Sequence, residues 1–506
     1  MATVRVTGKS GATYEFIDTM IGAGGMKDVY FSPDKSYVVA FFRGKVDPVG
    51  QQRLDRIVDK YRKGIFEAPG GEFWKDRFCW PIDVVVHDGR TGVVAPTYPK
   101  QYFFEHGATK NDFLKIQGKE KDGKWFASSK LRGKLDPQEL GTWREYLRLS
   151  LSIARSVQRM HAAGLAHSDL SYKNVLVNPV TGDACLIDID GLVVPGLFPP
   201  EVVGTPDFIA PEVIRTQHLP LHDNGRFLPS AHTDRHALAV LIYMYLFYRH
   251  PLQGGKIHSQ DPTEDEEKKM GGGALFVEHP TDTSNRVNLK WLDDGEKFWG
   301  NPANVPYSAA GPHLKVLFER AFIDGLHDPT KRPIAADWET ALIKTLDMIQ
   351  PCSNTKCEGK WYVFDNTNKP QCPFCKTDYV GPLPVLDLYR THDGKTFRPE
   401  NHRIMVWDGQ SLFPYHVDSL VVAGATMKPE HRKRVGYFQK VRGVWYLINE
   451  NMPTLTNVSD PQKHVPIAIG EKVKLEEDLR LRLSTETSGR LIRVTLANVD
   501  RSKYGA

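Results

Sequence analysis

Apolar and polar positions change rhythm three times along this chain. Up to about residue 98 the apolar residues come in short runs broken by turn residues. That pattern predicts strands at 14–21, 29–31, 37–42, 80–86 and 92–95. Within this region residues 51–64 carry Leu54, Ile57, Val58 and Tyr61 at helical spacing. Past residue 135 the period lengthens. Asp136-Pro137-Gln138-Glu139 is a helix-start signal, and Leu147, Leu151, Ile153, Ala154, Val157 and Met160 predict one long helix closed by Gly164. The apolar run 237–248 is too short to span a bilayer and suits a buried core helix. The stretch 253–312, with Glu264-Asp265-Glu266-Glu267-Lys268-Lys269, reads as a solvated surface insertion. From Pro384 onward alternation returns and predicts a separate, mostly β domain.

A β-lobe followed by an α-lobe makes one bilobal α+β unit over residues 1–350, divided into 1–98 and 99–350. Residues 351–382 and 383–506 complete the chain. Sixty-six basic against 61 acidic residues leave a net charge of +5, which excludes an electrostatic nucleic-acid binder and a disordered polyelectrolyte. The opening residues lack the apolar stretch of a signal peptide, and six cysteines in 506 residues are no disulfide framework. The expectation is a cytoplasmic chain with a metal site and with neither membrane nor nucleic acid as partner.

Candidate chemistry concentrates after the long helix. His167-Ser168-Asp169-Leu170-Ser171-Tyr172-Lys173-Asn174 sets a carboxylate five positions before an amide. Leu186-Ile187-Asp188-Ile189-Asp190-Gly191 then places further carboxylates after an apolar strand. Oxygen ligands from Asn174 and Asp188 suit Mg²⁺. Asp190 is either a second ligand or a turn residue. Gly204-Thr205-Pro206-Asp207-Phe208-Ile209-Ala210-Pro211-Glu212, Asp234 and Asp328-Pro329-Thr330-Lys331-Arg332-Pro333 follow in order.

Over residues 10–350 this series resembles the protein kinase superfamily. The resemblance implies a serine/threonine kinase using ATP and Mg²⁺ on a protein substrate. It makes Asp169 the catalytic base, Asn174 and Asp188 the metal ligands, and Glu212–Arg332 a structural ion pair, with Asp234 bracing the catalytic loop. Where such kinases carry a Val-Ala-x-Lys strand, this chain reads Val39-Ala40-Phe41-Phe42. The glycine cluster Gly22-Ala23-Gly24-Gly25-Met26-Lys27-Asp28-Val29 instead has Lys27 at the third glycine's place. That arrangement is similar to the with-no-lysine kinases and implies that Lys27 grips the phosphates beside Gly22, Gly24, Gly25, Val29 and Ala40. The alternatives are Arg43 or Lys45 in that role, or a pseudokinase. The helical carboxylate partner of Lys27 is Asp55 or Asp59, unless both are surface residues. Lys173 is either the positive charge at the transferred phosphate or a solvated lysine. The adenine would meet the segment Ala95-Pro96-Thr97-Tyr98. Thr205 is the single hydroxyl residue between Asp188 and Glu212, so activity gated by phosphorylation of this segment is not expected.

Cys352-x4-Cys357 and Cys372-x2-Cys375 have the spacing of a four-thiolate zinc ribbon, a structural Zn²⁺ site without an open ligand position. Cys79 and Cys185 lie in apolar strands as core residues. Residues 440–500 resemble the second half of a forkhead-associated (FHA) β-sandwich, read as a docking domain with Arg432 and Arg434 as candidate phosphate contacts. The kinase-plus-ribbon order is similar to bacterial kinases found beside a von Willebrand-type domain protein and a metal-dependent protein phosphatase, which implies such partners.

Overall fold

The structure is a computed structural model describing residues 2–23, 26–194, 204–220, 223–296, 298–364 and 370–498. Gly24 and Gly25, and Pro195, Pro199 and Pro200 of the segment after Asp190, lie outside the described residues. The chain forms two compact units. The first comprises 1–141, 145–302 and 316–339; the second comprises 142–144, 303–315 and 340–506.

The first unit opens with a hairpin of β1 (Thr3–Thr7) and β2 (Thr13–Ile17). A five-stranded antiparallel sheet follows, built from β3 (Met20–Ala23), β4 (Lys27–Phe31), β5 (Tyr37–Phe42), β6 (Asp83–His87) and β7 (Arg90–Pro96). Its order is β3-β4-β5-β7-β6. Alternation along β5 divides its side chains between two faces. Val39 and Phe41 pack with Val6, Phe16, Val85 and Val94, while Ala40 and Phe42 pack with Leu54, Val84 and Val93. The helix expected over 51–64 begins earlier, as Pro48–Arg56 capped by Asp47. It continues through a π-helical turn, Ile57–Tyr61, into Arg62–Phe66.

The long helix Trp143–Ala162 forms as its periodicity predicts. A loop leads from it to the hairpin of β8 (Val175–Asn178) and β9 (Asp183–Leu186). Helix Ala231–Phe247 is buried from Ala237 on, and Ser230 and Thr233 cap its start reciprocally. The stretch 253–312 departs from the expected solvated insertion. Phe276 is fully buried, with its ring 5.7 Å from Tyr243 and 5.2 Å from Phe322. Asn285 donates to the carbonyls of Leu252 and Leu275, so an aromatic anchor and an amide clamp tie the stretch down. Its charged run forms the helix Pro262–Met270, laced by Glu264–Lys268 and Asp265–Lys269 pairs.

In the second unit β10 (Ile349–Pro351) pairs with β11 (Trp361–Val363) beside the cysteines. Two further sheets share one apolar core. One has the order β13-β12-β21-β20-β17-β18, with β12 (Leu383–Arg390), β13 (Arg398–Met405), β17 (Thr456–Asp460), β18 (Lys463–Pro466), β20 (Arg480–Arg482) and β21 (Leu491–Ala497). The other has the order β14-β15-β16-β19, with β14 (Ser411–Leu412), β15 (Gly436–Val441), β16 (Val444–Asn449) and β19 (Lys472–Lys474). Leu386, Ile404 and Ile492 from the first meet Phe438, Trp445 and Leu447 from the second. The last passage from the first unit to the second falls between residues 339 and 340, inside helix Ala335–Asp347. Among the described residues no helix is long and apolar enough to cross a membrane.

Candidate active site

A cavity of about 960 Å³ lies in the first unit between the five-stranded sheet and the loop that follows the long helix. Val29, Ala40, Val93 and Ala95 give it an apolar wall, while Lys27, Asp169, Asp188 and Asp190 supply charge. A largely apolar pocket with a few convergent polar groups is the usual form of a small-ligand site. Gly22 and the segment from Ala95 to Tyr98 also line it. Cys79 reaches the wall too and donates to the Pro96 carbonyl at 3.2 Å. Burial pushes its thiol up to about 12, so it serves as a neutral wall group.

Strand register sets the cation. β4 and β5 pair so that Lys27 lies directly opposite Phe42, and Val29 opposite Ala40. Cross-strand partners project on the same face of a sheet. The Lys27 Nζ stands 5.4 Å from the centre of the Phe42 ring. It donates to both oxygens of Asp190 at 2.8 and 2.7 Å, and to Asp188 Oδ1 at 3.0 Å. Burial alone would lower the Lys27 pKa, but the Asp190 and Asp188 carboxylates outweigh it and the pKa rises. The reciprocal effect of Lys27 overcomes burial at Asp188 and lowers its pKa. Neither Asp55 nor Asp59 meets Lys27. Asp55 binds Lys9 at 2.7 Å and Asp59 binds Lys63 at 2.5 Å, because both lie on the helix's outer side. Arg43 lines the cavity but pairs with Asp28 at 2.8 Å, and Lys45 is an exposed rim residue.

The loop after the long helix is held from below. Asp234 accepts from the backbone amides of His167 (2.7 Å) and Ser168 (3.2 Å) and from His161 Nε2 (3.0 Å). His167 Nε2 donates to the Ile187 carbonyl at 3.0 Å, linking this loop to the chain that delivers Asp188. Ser168 and Asp188 both adopt left-handed backbone, with φ of 65° and 60°. Such conformations cost roughly 1–3 kcal/mol each and persist where surrounding bonds dictate them.

Asp169 gathers three donors. Asn174 Nδ2 donates to its Oδ2 at 2.9 Å and to its carbonyl at 2.8 Å. The Thr205 amide and hydroxyl donate to Oδ1 at 2.6 and 2.9 Å. Gly204 makes that approach possible. Its φ of +116° suits only glycine, and a Cβ there would lie 3.3 Å from the Ser168 carbonyl oxygen. Asn174 sits beside Asp169 without entering the cavity wall, and the Lys173 side chain is exposed. Glu212 and Arg332 form a buried two-pronged ion pair at 2.8 and 2.7 Å, and Arg332 also donates to the carbonyls of Gly325, Leu326 and His232. Sequence reasoning missed Arg53, which lies in the cavity wall although it is 4% exposed.

The donor set fits a magnesium-bound nucleotide: hard oxygens at Asp188 and Asp190, an ammonium between them, and an apolar recess for a base. In the second unit the sulfurs of Cys352, Cys357, Cys372 and Cys375 all lie within 4.8 Å of one another. The Cys352–Cys375 and Cys357–Cys372 separations are 3.5 and 3.7 Å. Four sulfurs tetrahedrally arranged at about 2.3 Å from Zn²⁺ stand about 3.8 Å apart, so the cluster is compatible with zinc. Arg434 pairs with Glu450 at 2.7 Å, and Arg432 donates to the carbonyls of Met427 and Ala425.

Residues 127–288 match the family model described as protein kinase domain. The chain is 25% identical over 266 residues to the serine/threonine-protein kinase PknD of Chlamydia felis. That match covers 47% of this chain and 24% of the relative, so the chain spans about a quarter of that relative's length. Two solved structures from Toxoplasma gondii are similar at low identity. The specific rhoptry antigen kinase domain is 14% identical with a TM-score of 0.40, over 68% of this chain and 86% of that one. ROP2, described as a virulence factor with a protein-kinase fold and no enzymatic activity, is 16% identical with a TM-score of 0.39, over 68% and 84%. The family match and the bacterial relative together support a protein-kinase-like domain in this chain.

Proposed function

We propose that this chain is an ATP-dependent serine/threonine protein kinase whose phosphate-gripping lysine is Lys27. The observation that carries the reading is one cavity holding Lys27, Asp188 and Asp190 opposite an Asp169 already oriented by Asn174 and Thr205. When bound, Mg·ATP supplies the transferable γ-phosphoryl group and its counter-charge. Asp169 accepts the hydrogen bond of the incoming hydroxyl and takes its proton as the new oxygen–phosphorus bond forms and the bond from the γ-phosphorus to the bridging oxygen breaks, releasing ADP. Asp188 and Asp190, which line the cavity, would hold the metal through their carboxylate oxygens, while Asn174 orients Asp169. Lys27 exchanges its carboxylate contacts for phosphate oxygens, a strong charge-assisted pairing. The register opposite Phe42 supports this role, because the ammonium leaves from the neighbouring strand yet projects on the same sheet face.

The test is transfer of radiolabelled phosphate from ATP with Mg²⁺, wild type against Asp169→Ala. Transfer that requires Asp169 supports the kinase. A second reading, a nucleotide-binding scaffold, is favoured by the hold of Asp188 and Asp190 on Lys27. ATP binding without Asp169-dependent transfer would establish the scaffold instead.

The four cysteines are proposed as a structural zinc ribbon and the paired sheets as an FHA-like docking domain. Arg434 and Arg432 are engaged with their own chain, which supports docking over phosphopeptide capture. A protein substrate, a von Willebrand-type domain protein and a metal-dependent phosphatase are the proposed partners, with a cytoplasmic location.

A further inference from the structure

A lysine ammonium has three N–H donors and no acceptor. At Lys27 three carboxylate oxygens take them: Asp190 Oδ1 at 2.8 Å, Asp190 Oδ2 at 2.7 Å and Asp188 Oδ1 at 3.0 Å. The contact is sheltered, with the Lys27 side chain 19% and the Asp190 side chain 9% exposed. While these bonds stand, the ammonium has no donor to give a phosphate. Charge tightens the constraint, because two carboxylates against one ammonium leave one negative charge over. If Lys27 left for a phosphate with nothing in its place, Asp188 and Asp190 would face each other and the phosphates as bare anions. Like charges in an enclosed site repel strongly. A divalent cation on the same oxygens cancels both carboxylates. Mg²⁺ needs its oxygens at about 2.0–2.1 Å, and it cannot claim them while an ammonium occupies all three.

This inference rests on the nucleotide reading of the cavity and adds an order of events to it. We propose that Lys27 and the divalent cation are mutually exclusive occupants of the Asp188 and Asp190 carboxylates, so that metal loading frees Lys27 for the nucleotide phosphates. Lys27 is then the resident counter-ion of the two carboxylates before loading and a phosphate ligand after it. Divalent cation and Lys27 compete, whereas divalent cation and nucleotide favour each other's binding. Such a coupling is reciprocal: whatever the metal adds to nucleotide affinity, the nucleotide adds to metal affinity.

Mn²⁺ is the probe, titrated into the full chain without nucleotide and followed by the electron paramagnetic resonance of the free ion. Lys27→Met is expected to bind Mn²⁺ at least about tenfold more tightly than wild type, the scale of releasing a charge-assisted contact. Arg43→Gln removes another positive charge from the same cavity wall, one tied to Asp28, and is expected to stay within about twofold of wild type. That comparison separates competition for the carboxylates from general electrostatics. The gain should vanish when Lys27→Met is combined with Asp190→Asn. Unchanged or weaker Mn²⁺ binding in Lys27→Met, an equal gain in Arg43→Gln, or a gain that survives Asp190→Asn overturns the inference while leaving the nucleotide reading intact.

If Lys27→Met does not fold, the wild type decides through brief amine acetylation read by mass spectrometry. Lys27 is expected to be labelled several-fold faster with saturating Mn²⁺ than without it, with exposed Lys45 as the internal reference. Unchanged or slower labelling overturns the inference. A wild-type chain that binds no ATP in calorimetry with Mg²⁺ present overturns the nucleotide reading and this inference with it.

Discussion

Thr205 donates twice to one oxygen of Asp169, through its amide at 2.6 Å and its hydroxyl at 2.9 Å. The hydroxyl is enclosed, since Thr205 is 8% exposed and its oxygen also reaches Ser171 Oγ at 3.2 Å. It orients a carboxylate and is poorly placed to accept phosphate. Mass spectrometry of the active protein is expected to find no stoichiometric phosphate on Thr205. Thr205→Val should lower kcat about tenfold with little change in KM for ATP, and Thr205→Ser should recover most of it.

Lys27 is expected to be the cation that activity needs. Lys27→Met should reduce phosphate transfer by at least about a hundredfold, the scale of removing a preorganised charge at a reacting group. Arg43→Ala, whose native side chain is tied to Asp28, should retain most activity. The opposite ranking in steady-state kinetics would reassign the phosphate contact to Arg43.

Arg332 is fully buried, and its loss strands the Glu212 carboxylate. Arg332→Ala should destabilise the first unit by about 3–5 kcal/mol, the cost of orphaning one half of a buried pair. Urea unfolding measures this, and replacing both partners together should cost less than Arg332→Ala.

The second unit should carry about one zinc per chain by elemental analysis, a figure that follows from four thiolates filling one tetrahedral shell. Cys357→Ser should lose the metal. Strong chelation should increase hydrogen exchange in β10 and β11 while leaving the sheet β3–β7 protected.

Acid should loosen the second unit through Asp347, which accepts from His402 at 2.7 Å and from His416 at 3.2 Å. Burial lowers the His416 pKa, with the Asp347 carboxylate pulling the other way. Burial would raise Asp347, but His416 and His402 outweigh it and hold it low. Both folded values sit below their unfolded ones, so the unfolded chain binds more protons on acidification. Stability is complete above about pH 6.5, the unfolded histidine value, and falls below it, with a further loss under about pH 4 from Asp347. Hydrogen exchange in β12 and β21 across pH 7 to 5 measures the upper slope, which His416→Gln should flatten.

What the sequence made legible was local. The spacing from His167 to Asn174, the two cysteine pairs and the periodicity of the long helix each lie within a few turns of chain, and each kept its geometry. Lys27 was readable because it adjoins the glycine cluster, although its position opposite Phe42 is a matter of register. The anchoring of the stretch 253–312 is not legible locally, because Phe276 finds its partners, Tyr243 and Phe322, more than thirty residues away along the chain. Arg53 was visible as an interruption of the stripe that includes Leu54 and Ile57.

Placing the ammonium on β4 has a mechanical consequence. A lysine on β5 would sit on the central strand, one strand further from the β3 edge of the sheet. Lys27 continues directly from the glycine cluster, so any hinging of that hairpin carries the charge with it. Lifting the roof and withdrawing the cation would be one motion, and nucleotide release would need no separate event to break the salt link.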